Sequence, residues 1–359
     1  MIIKVKEFIE KVARENEHTY FLYIDGFRYP WFENIEKLYP NRVIPCGISE
    51  QLSLSISTSL ALSGNKVYVF MIAAYASKRA LDQFKFACYC NANITVITTL
   101  SGLAVPYAGY SHLAIDDISI LRNSPNLSIY SPSSPVEIEV ILEHHKNMCG
   151  PVYIGIDNRG EYPALFDAVY GKKTLLHLGN SKVCILYSGF AGSFLSLARF
   201  LNVGLNPTIY SIYILEPFNV DEIRELCKKY PILITVEFKG KGCLASSVAE
   251  IIATEKFKTQ FLPIYLKDEK YDVMGQCDYV AEKYLQLTQL PHKILNLIGY
   301  KKVFVKRYAK FQKNDCIKIK YKFLGITLLT VLCKGKETLI IESFLFDFLK
   351  IYKKSICCN

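Results

Sequence analysis

Glu50 is the side chain best placed to do chemistry. It follows a strand-like run, ArgValIleProCys (42–46), and a glycine, and it opens a helix. Unsatisfied N–H groups and the helix dipole favour a carboxylate at that point. The position suits a functional carboxylate, and it equally suits a plain helix-start glutamate. His112 ends a Gly-containing loop segment (101–112), the kind of place where binding groups concentrate. A lone histidine there can also be a satisfied surface or core group. GlyPheAlaGlySer (189–193) opens a helix after a strand and could cradle phosphate, although a plain strand–helix turn explains it as well.

The elements that must position these residues alternate between strand and helix. Strands are expected at 20–24, 66–72, 94–100, 127–130 and 151–156. Helices are expected at 50–63, 77–90, 115–122 and 135–145, after an amphipathic helix at the start. Such alternation predicts an α/β fold with a mostly parallel sheet flanked by helices. A second unit repeats it, with strands at 183–187, 208–213 and 232–236 and helices at 193–202, 219–229 and 243–253. The expected organisation is therefore a first domain over 1–160, a linker over 161–180, a second domain over 181–260 and a basic extension over 261–359.

Charge separates the extension from the rest. Residues 301–359 hold 14 Lys and Arg against 4 Asp and Glu, and the remainder holds 29 of each, so the tail carries the whole net charge of +10. A neutral body argues against nucleic acid as the central partner. The 12 cysteines are scattered without CxxC spacing, which predicts reduced thiols in a cytoplasmic protein. No secretory signal is read at the start, and the late apolar run 323–333 is too short to span a bilayer. Residues 318–326 alternate basic or polar with apolar residues. This combination suits an anionic membrane surface or an acidic partner, and a small strand appendage with a solvated basic face accounts for it equally.

Several segments in order carry a family resemblance: GlyIleSerGluGln (47–51), 73–85, SerGlyLeuAlaValProTyrAlaGlyTyrSerHis (101–112), 115–126 and 131–139. Together they resemble the pyrimidine-binding domain of transketolases, especially the bacterial forms encoded as two chains. ThrValGluPhe (235–238) and 242–250 resemble the transketolase C-terminal domain, so the likeness covers about residues 15–255. It implies a thiamine diphosphate enzyme that transfers a two-carbon ketol unit between sugars or sugar phosphates. The tail is similar in composition to tails of some surface-polysaccharide enzymes, which points to that pathway.

The resemblance also implies roles. Glu50 matches the glutamate that hydrogen-bonds N1′ of the aminopyrimidine and promotes its imino tautomer. Tyr75 falls where the family stacks an aromatic residue on the pyrimidine. His112 matches a histidine that hydrogen-bonds substrate oxygens near the reacting carbon. Arg159 resembles, with a one-residue shift, an arginine that contacts substrate phosphate, and it can also be a linker charge. Ala108 and Leu100 stand where many members carry an acidic residue and a phosphate-contacting histidine, which sets this donor site apart.

The family holds Mg²⁺ and diphosphate through a GlyAspGly signature, and none occurs here. IleAspGly (24–26), the nearest match, reads as a turn. The diphosphate and Mg²⁺ are therefore expected on an N-terminal-type partner chain, in an assembly of two copies of each, with no metal ligands supplied by this chain. The alternatives are another thiamine diphosphate enzyme half, such as a deoxyxylulose-phosphate-synthase-like chain or a 2-oxoacid dehydrogenase β-subunit, and a non-catalytic scaffold.

Overall fold

The computed structural model describes residues 1–24, 32–157, 167–267 and 275–298, and the backbone of four strands between 306 and 343. The chain divides into two compact units, Met1–Pro291 and His292–Asn359.

In the first unit, α1 (Ile2–Glu15) buries Val5, Phe8, Ile9 and Val12, the apolar stripe of an amphipathic helix. There follow β1 (Thr19–Tyr23), α2 (Phe32–Leu38), β2 (Val43–Pro45), α3 (Glu50–Leu62) and β3 (Lys66–Ile72). Next come α4 (Leu81–Tyr89), β4 (Ile94–Thr99), α5 (Asp117–Leu121), β5 (Ser128–Tyr130), α6 (Pro135–His145) and β6 (Val152–Gly155). The sheet order is β5-β6-β4-β3-β1-β2, with every one of these pairs parallel. Strands β3 and β4 are buried along their whole length, as expected of a sheet covered on both faces. The serines of α3 are satisfied inside the helix. Ser57 donates to the Ser53 carbonyl at 2.6 Å and Thr58 to that of Leu54 at 2.7 Å, so small polar residues can pack there.

The second sheet comprises β7 (Thr174–His177), β8 (Val183–Tyr187), β9 (Thr208–Ser211), β11 (Ile232–Val236) and β12 (Gln260–Ile264). Its order is β12-β11-β8-β9-β7, parallel except for β7. Helices α7 (Leu197–Leu201), α8 (Val220–Lys229) and α9 (Leu244–Thr254) accompany it, and α10 (Cys277–Leu285) and α11 (Leu290–Leu297) follow. Strand β10 (Ile214–Glu216) leaves this sheet and pairs antiparallel with β5 of the first.

Several expectations change. Residues 208–213 read as one strand, yet the chain exchanges sheets there. The Ile212 N–H bonds the Tyr187 carbonyl at 2.8 Å, while the Tyr213 carbonyl accepts from Ser131 N at 2.8 Å. The stretch 161–180 holds β7, a four-residue edge strand too short to show a period in sequence. The helix expected at 77–90 begins as a turn of π-helix, Tyr75–Arg79, before α4. That expected at 193–202 is a 3-10 turn, Gly189–Phe194, followed by α7. The Asp25–Gly26 turn and Arg159 lie outside the described residues.

A buried polar lock joins the two sheets' domains. Lys239, which follows β11, places Nζ 2.6 and 2.8 Å from the Asp117 carboxylate oxygens. It also donates to Ser101 Oγ and to the Ala114 carbonyl. The Tyr153 and Ser101 hydroxyls donate to the same carboxylate at 2.6 and 2.9 Å. Burial, then the Asp117 charge, push the Tyr153 hydroxyl well above its ordinary pKa, so it remains a donor. Gly102 shows why the contact is close. Its φ is +73°, and a Cβ there would sit 2.9 Å from the Phe238 carbonyl oxygen. Two residues before Lys239, Glu237 caps α9 by accepting from Leu244 N and Ala245 N at 3.0 and 2.8 Å, and burial raises its pKa to about 7.

In the second unit, β13 (Lys306–Gln312), β14 (Cys316–Phe323), β15 (Ile326–Lys334) and β16 (Glu337–Ser343) form an antiparallel meander in chain order. Among the described residues no helix is long and apolar enough to cross a membrane. Among the described side chains, the cysteines between Cys46 and Cys277 are free thiols.

Removing one partner of a buried ion pair leaves the other uncompensated. The substitution Lys239→Met is therefore expected to cost about 3–5 kcal/mol in urea unfolding. A loss below about 1 kcal/mol would show that the lock contributes little to stability.

Candidate active site

The sequence-predicted residues come from three neighbouring connections. Glu50 follows β2, Tyr75 follows β3, and His112 lies on the loop after β4. Those strands are parallel to the rest of the sheet, so the site sits at their carboxyl ends, where open α/β sheets bind ligands.

Glu50 is the first residue of α3 and only 8% exposed. Its Oε1 accepts from Arg79 Nη1 at 2.9 Å. The same guanidinium lies over the Tyr75 ring, 4.1 Å from its centroid. Tyr75 and Arg79 stand at the two ends of the π-turn, which is closed by the Ala80 N–H on the Tyr75 carbonyl at 3.0 Å. Single π-turns of this kind occur often at functional sites. The Tyr75 hydroxyl is 2.9 Å from His112 Nε2, and the two rings meet edge to face at 5.6 Å. Ser111 Oγ is 2.8 Å from His112 Nδ1. Glu50, Arg79, Tyr75, His112 and Ser111 thus form one continuous chain of polar contacts.

Lys78 fastens the loop carrying His112. Its Nζ donates to the Leu113 carbonyl at 2.9 Å, pairs with Asp116 at 3.2 Å and lies 3.7 Å over the Tyr110 ring. Leu100, where the loop begins, has φ +59°. This left-handed backbone costs a leucine on the order of 1–2 kcal/mol. The turn is fixed by Ser101 N on the Ile156 carbonyl at 3.2 Å and Gly102 N on that of Ala114 at 3.0 Å. Ala108 ends a 3-10 turn, Pro106–Ala108. Neither Leu100 nor Ala108 brings a charge to the site.

Glu50, Tyr75 and His112 are therefore brought together, whereas Arg159 lies outside the described residues. Sequence reasoning missed Arg79, Lys78 and Ser111. The i, i+4 spacing of Tyr75 and Arg79 was the available signal, because residues so spaced share a helix face. Among the described residues no three His, Cys, Asp or Glu side chains gather as a metal site.

The arrangement can hold a flat, nitrogen-bearing group. Arg79 already supplies one, donating an N–H to Glu50 while stacking on Tyr75. An aminopyrimidine ring offers the same two features, a hydrogen-bonding edge and a π face, so the residues present fit it.

Residues 9–163 match the transketolase pyrimidine-binding domain. One subunit of the apulose-4-phosphate transketolase of Actinobacillus succinogenes is 29% identical over 224 residues, covering 60% of this chain and 72% of that protein. The 6-deoxy-6-sulfo-D-fructose transketolase subunit SqwH of a Clostridium species is 25% identical over 255 residues, 68% of this chain and 77% of that one. The 1-deoxy-D-xylulose-5-phosphate synthase of Dictyoglomus thermophilum is 26% identical, but only 44% of its length is matched. A solved structure described as a split gene transketolase, inactive beta4 tetramer, shares the fold. Its TM-score is 0.71 at 23% identity, covering 82% of this chain and 97% of that chain.

Proposed function

Because this chain belongs to the transketolase family, as a subunit of the C-terminal type, we propose that it holds the aminopyrimidine of thiamine diphosphate between Glu50 and Tyr75. A second polypeptide grips the diphosphate and Mg²⁺, and the assembly of two copies of each moves a two-carbon ketol unit between sugars or sugar phosphates. The observation that carries this reading is the single guanidinium bracketed by the Glu50 carboxylate and the Tyr75 ring.

The bound cofactor would supply a nucleophilic carbon and an electron sink for the ketol fragment. Glu50 accepts a hydrogen bond from the ring and so fixes its tautomer. Such a charge-assisted bond contributes about 1.5–3 kcal/mol to binding. Tyr75 stacks on the ring and shields it from water. His112, held by Ser111 on one nitrogen, would exchange the Tyr75 hydroxyl on Nε2 for a substrate oxygen. Arg159 serves a substrate phosphate.

An apolar rim supports a partner chain at this site. Ile48 is 78% exposed and Leu52 55%, on either side of buried Glu50, and Tyr107 and Tyr110 are exposed on the His112 loop. Contiguous exposed apolar residues mark interaction surfaces. The related split-gene chain is described as inactive in a tetramer of its own kind, which agrees with dependence on a partner.

The tail is proposed to hold the assembly at an anionic membrane surface. Lys318, Lys320 and Lys322 occupy alternate positions of β14, and Lys322 and Lys318 are the register partners of Lys306 and Lys310. Each lysine near such a surface contributes about 1 kcal/mol. Deleting 301–359 is expected to move the protein from the membrane fraction to the soluble one; an unchanged distribution counts against this role.

The catalytic reading is tested in the purified two-subunit complex. Glu50→Gln is expected to lower turnover about a hundredfold or more while the melting temperature stays near that of the wild type. Near-normal turnover would refute the assigned role.

A further inference from the structure

We propose that Arg79 is a built-in plug of the cofactor site, which must turn away before the aminopyrimidine can enter. The inference rests on the reading of Glu50 and Tyr75 given above. The guanidinium makes both of the contacts assigned there to the pyrimidine, 2.9 Å to the Glu50 carboxylate and 4.1 Å to the Tyr75 ring centre. A group lying between that carboxylate and that ring fills the gap a second flat group would need.

Arg79 is also the cation at this site that is free to move. Its side chain is 46% exposed, against 9% for that of Glu50, and among the described residues these two contacts are the ones that hold it. Its neighbour Lys78 is tied down by the Leu113 carbonyl, Asp116 and the Tyr110 ring. Adjacent cations on one π-turn therefore have different fates: one fixes the His112 loop and the other swings. The swing needs no backbone change, since the turn is closed through main-chain atoms.

Arg79 is half-exposed, so water screens both its pair with Glu50 and its cation–π contact with Tyr75, and each is weakened. The closed arrangement is accordingly favoured only modestly, on the order of tenfold, and the apparent affinity for the cofactor falls by the same factor. The plug keeps the Glu50 charge compensated and the stacking face covered until partner and cofactor arrive.

The test is calorimetric titration of thiamine diphosphate with Mg²⁺ into the full chain co-assembled with its diphosphate-binding subunit. R79M, which keeps bulk but loses the guanidinium, is expected to bind about tenfold more tightly than the wild type, with faster association. R79K, which keeps the charge but not the flat stack, is expected to fall between. Unchanged or weaker binding by R79M overturns the plug, and R79Q repeats the comparison should R79M fail to assemble. E50Q in the same titration separates the two failures. Weakened binding upholds the site reading, whereas unchanged binding removes the premise on which the plug rests.

Discussion

At the mouth of the first sheet, one guanidinium laid between a nearly buried carboxylate and an aromatic ring ties the site residues together. Glu50 sits at the N-terminus of α3, where the unsatisfied N–H groups of the first turn favour an anion. Arg79 Nη1 pairs with Glu50 Oε1 at 2.9 Å. Because Arg79 is on the same π-turn as Tyr75, pairing the charge also brings an aromatic face alongside it. The combination of anion, ring and half-exposed cation makes the place suited to a flat heterocycle.

The loop bearing His112 depends on the second domain as well as the first. Lys78 ties it from the π-turn, and Lys239 reaches across to Ser101, Ala114 and Asp117 at its base. The exchange of sheets between β9 and β10 locks the same two domains by backbone pairing. His112 thus inherits its position from a packed interface between domains rather than from a free loop. An irregular segment held in this way can fix a side chain as closely as a helix or strand does.

Much of this was legible in the sequence, for identifiable reasons. The strands at 66–72, 183–187 and 232–236 are continuous apolar runs bounded by turn residues, and the helix at 135–145 begins with Ser134 and proline, so pattern sufficed. Glu50, Tyr75 and His112 came from ordered segments whose family likeness fixed their order, and the fold links them through Arg79. What escaped was non-local. The four residues of β7 carry no period, and the break at Ile212 is set by which sheet each half joins. Arg79 is one charge among many until the π-turn sets it over Tyr75. The lock between Asp117 and Lys239 joins residues 122 positions apart, which no local pattern reports.

The most direct test of the central claim is a crystal structure of the chain co-assembled with its partner and soaked with thiamine diphosphate and Mg²⁺. The account predicts the Glu50 carboxylate about 2.6–3.2 Å from a pyrimidine nitrogen, with the ring on Tyr75 and Arg79 turned aside. A cofactor ring bound elsewhere, with Glu50 still paired to Arg79, would contradict it.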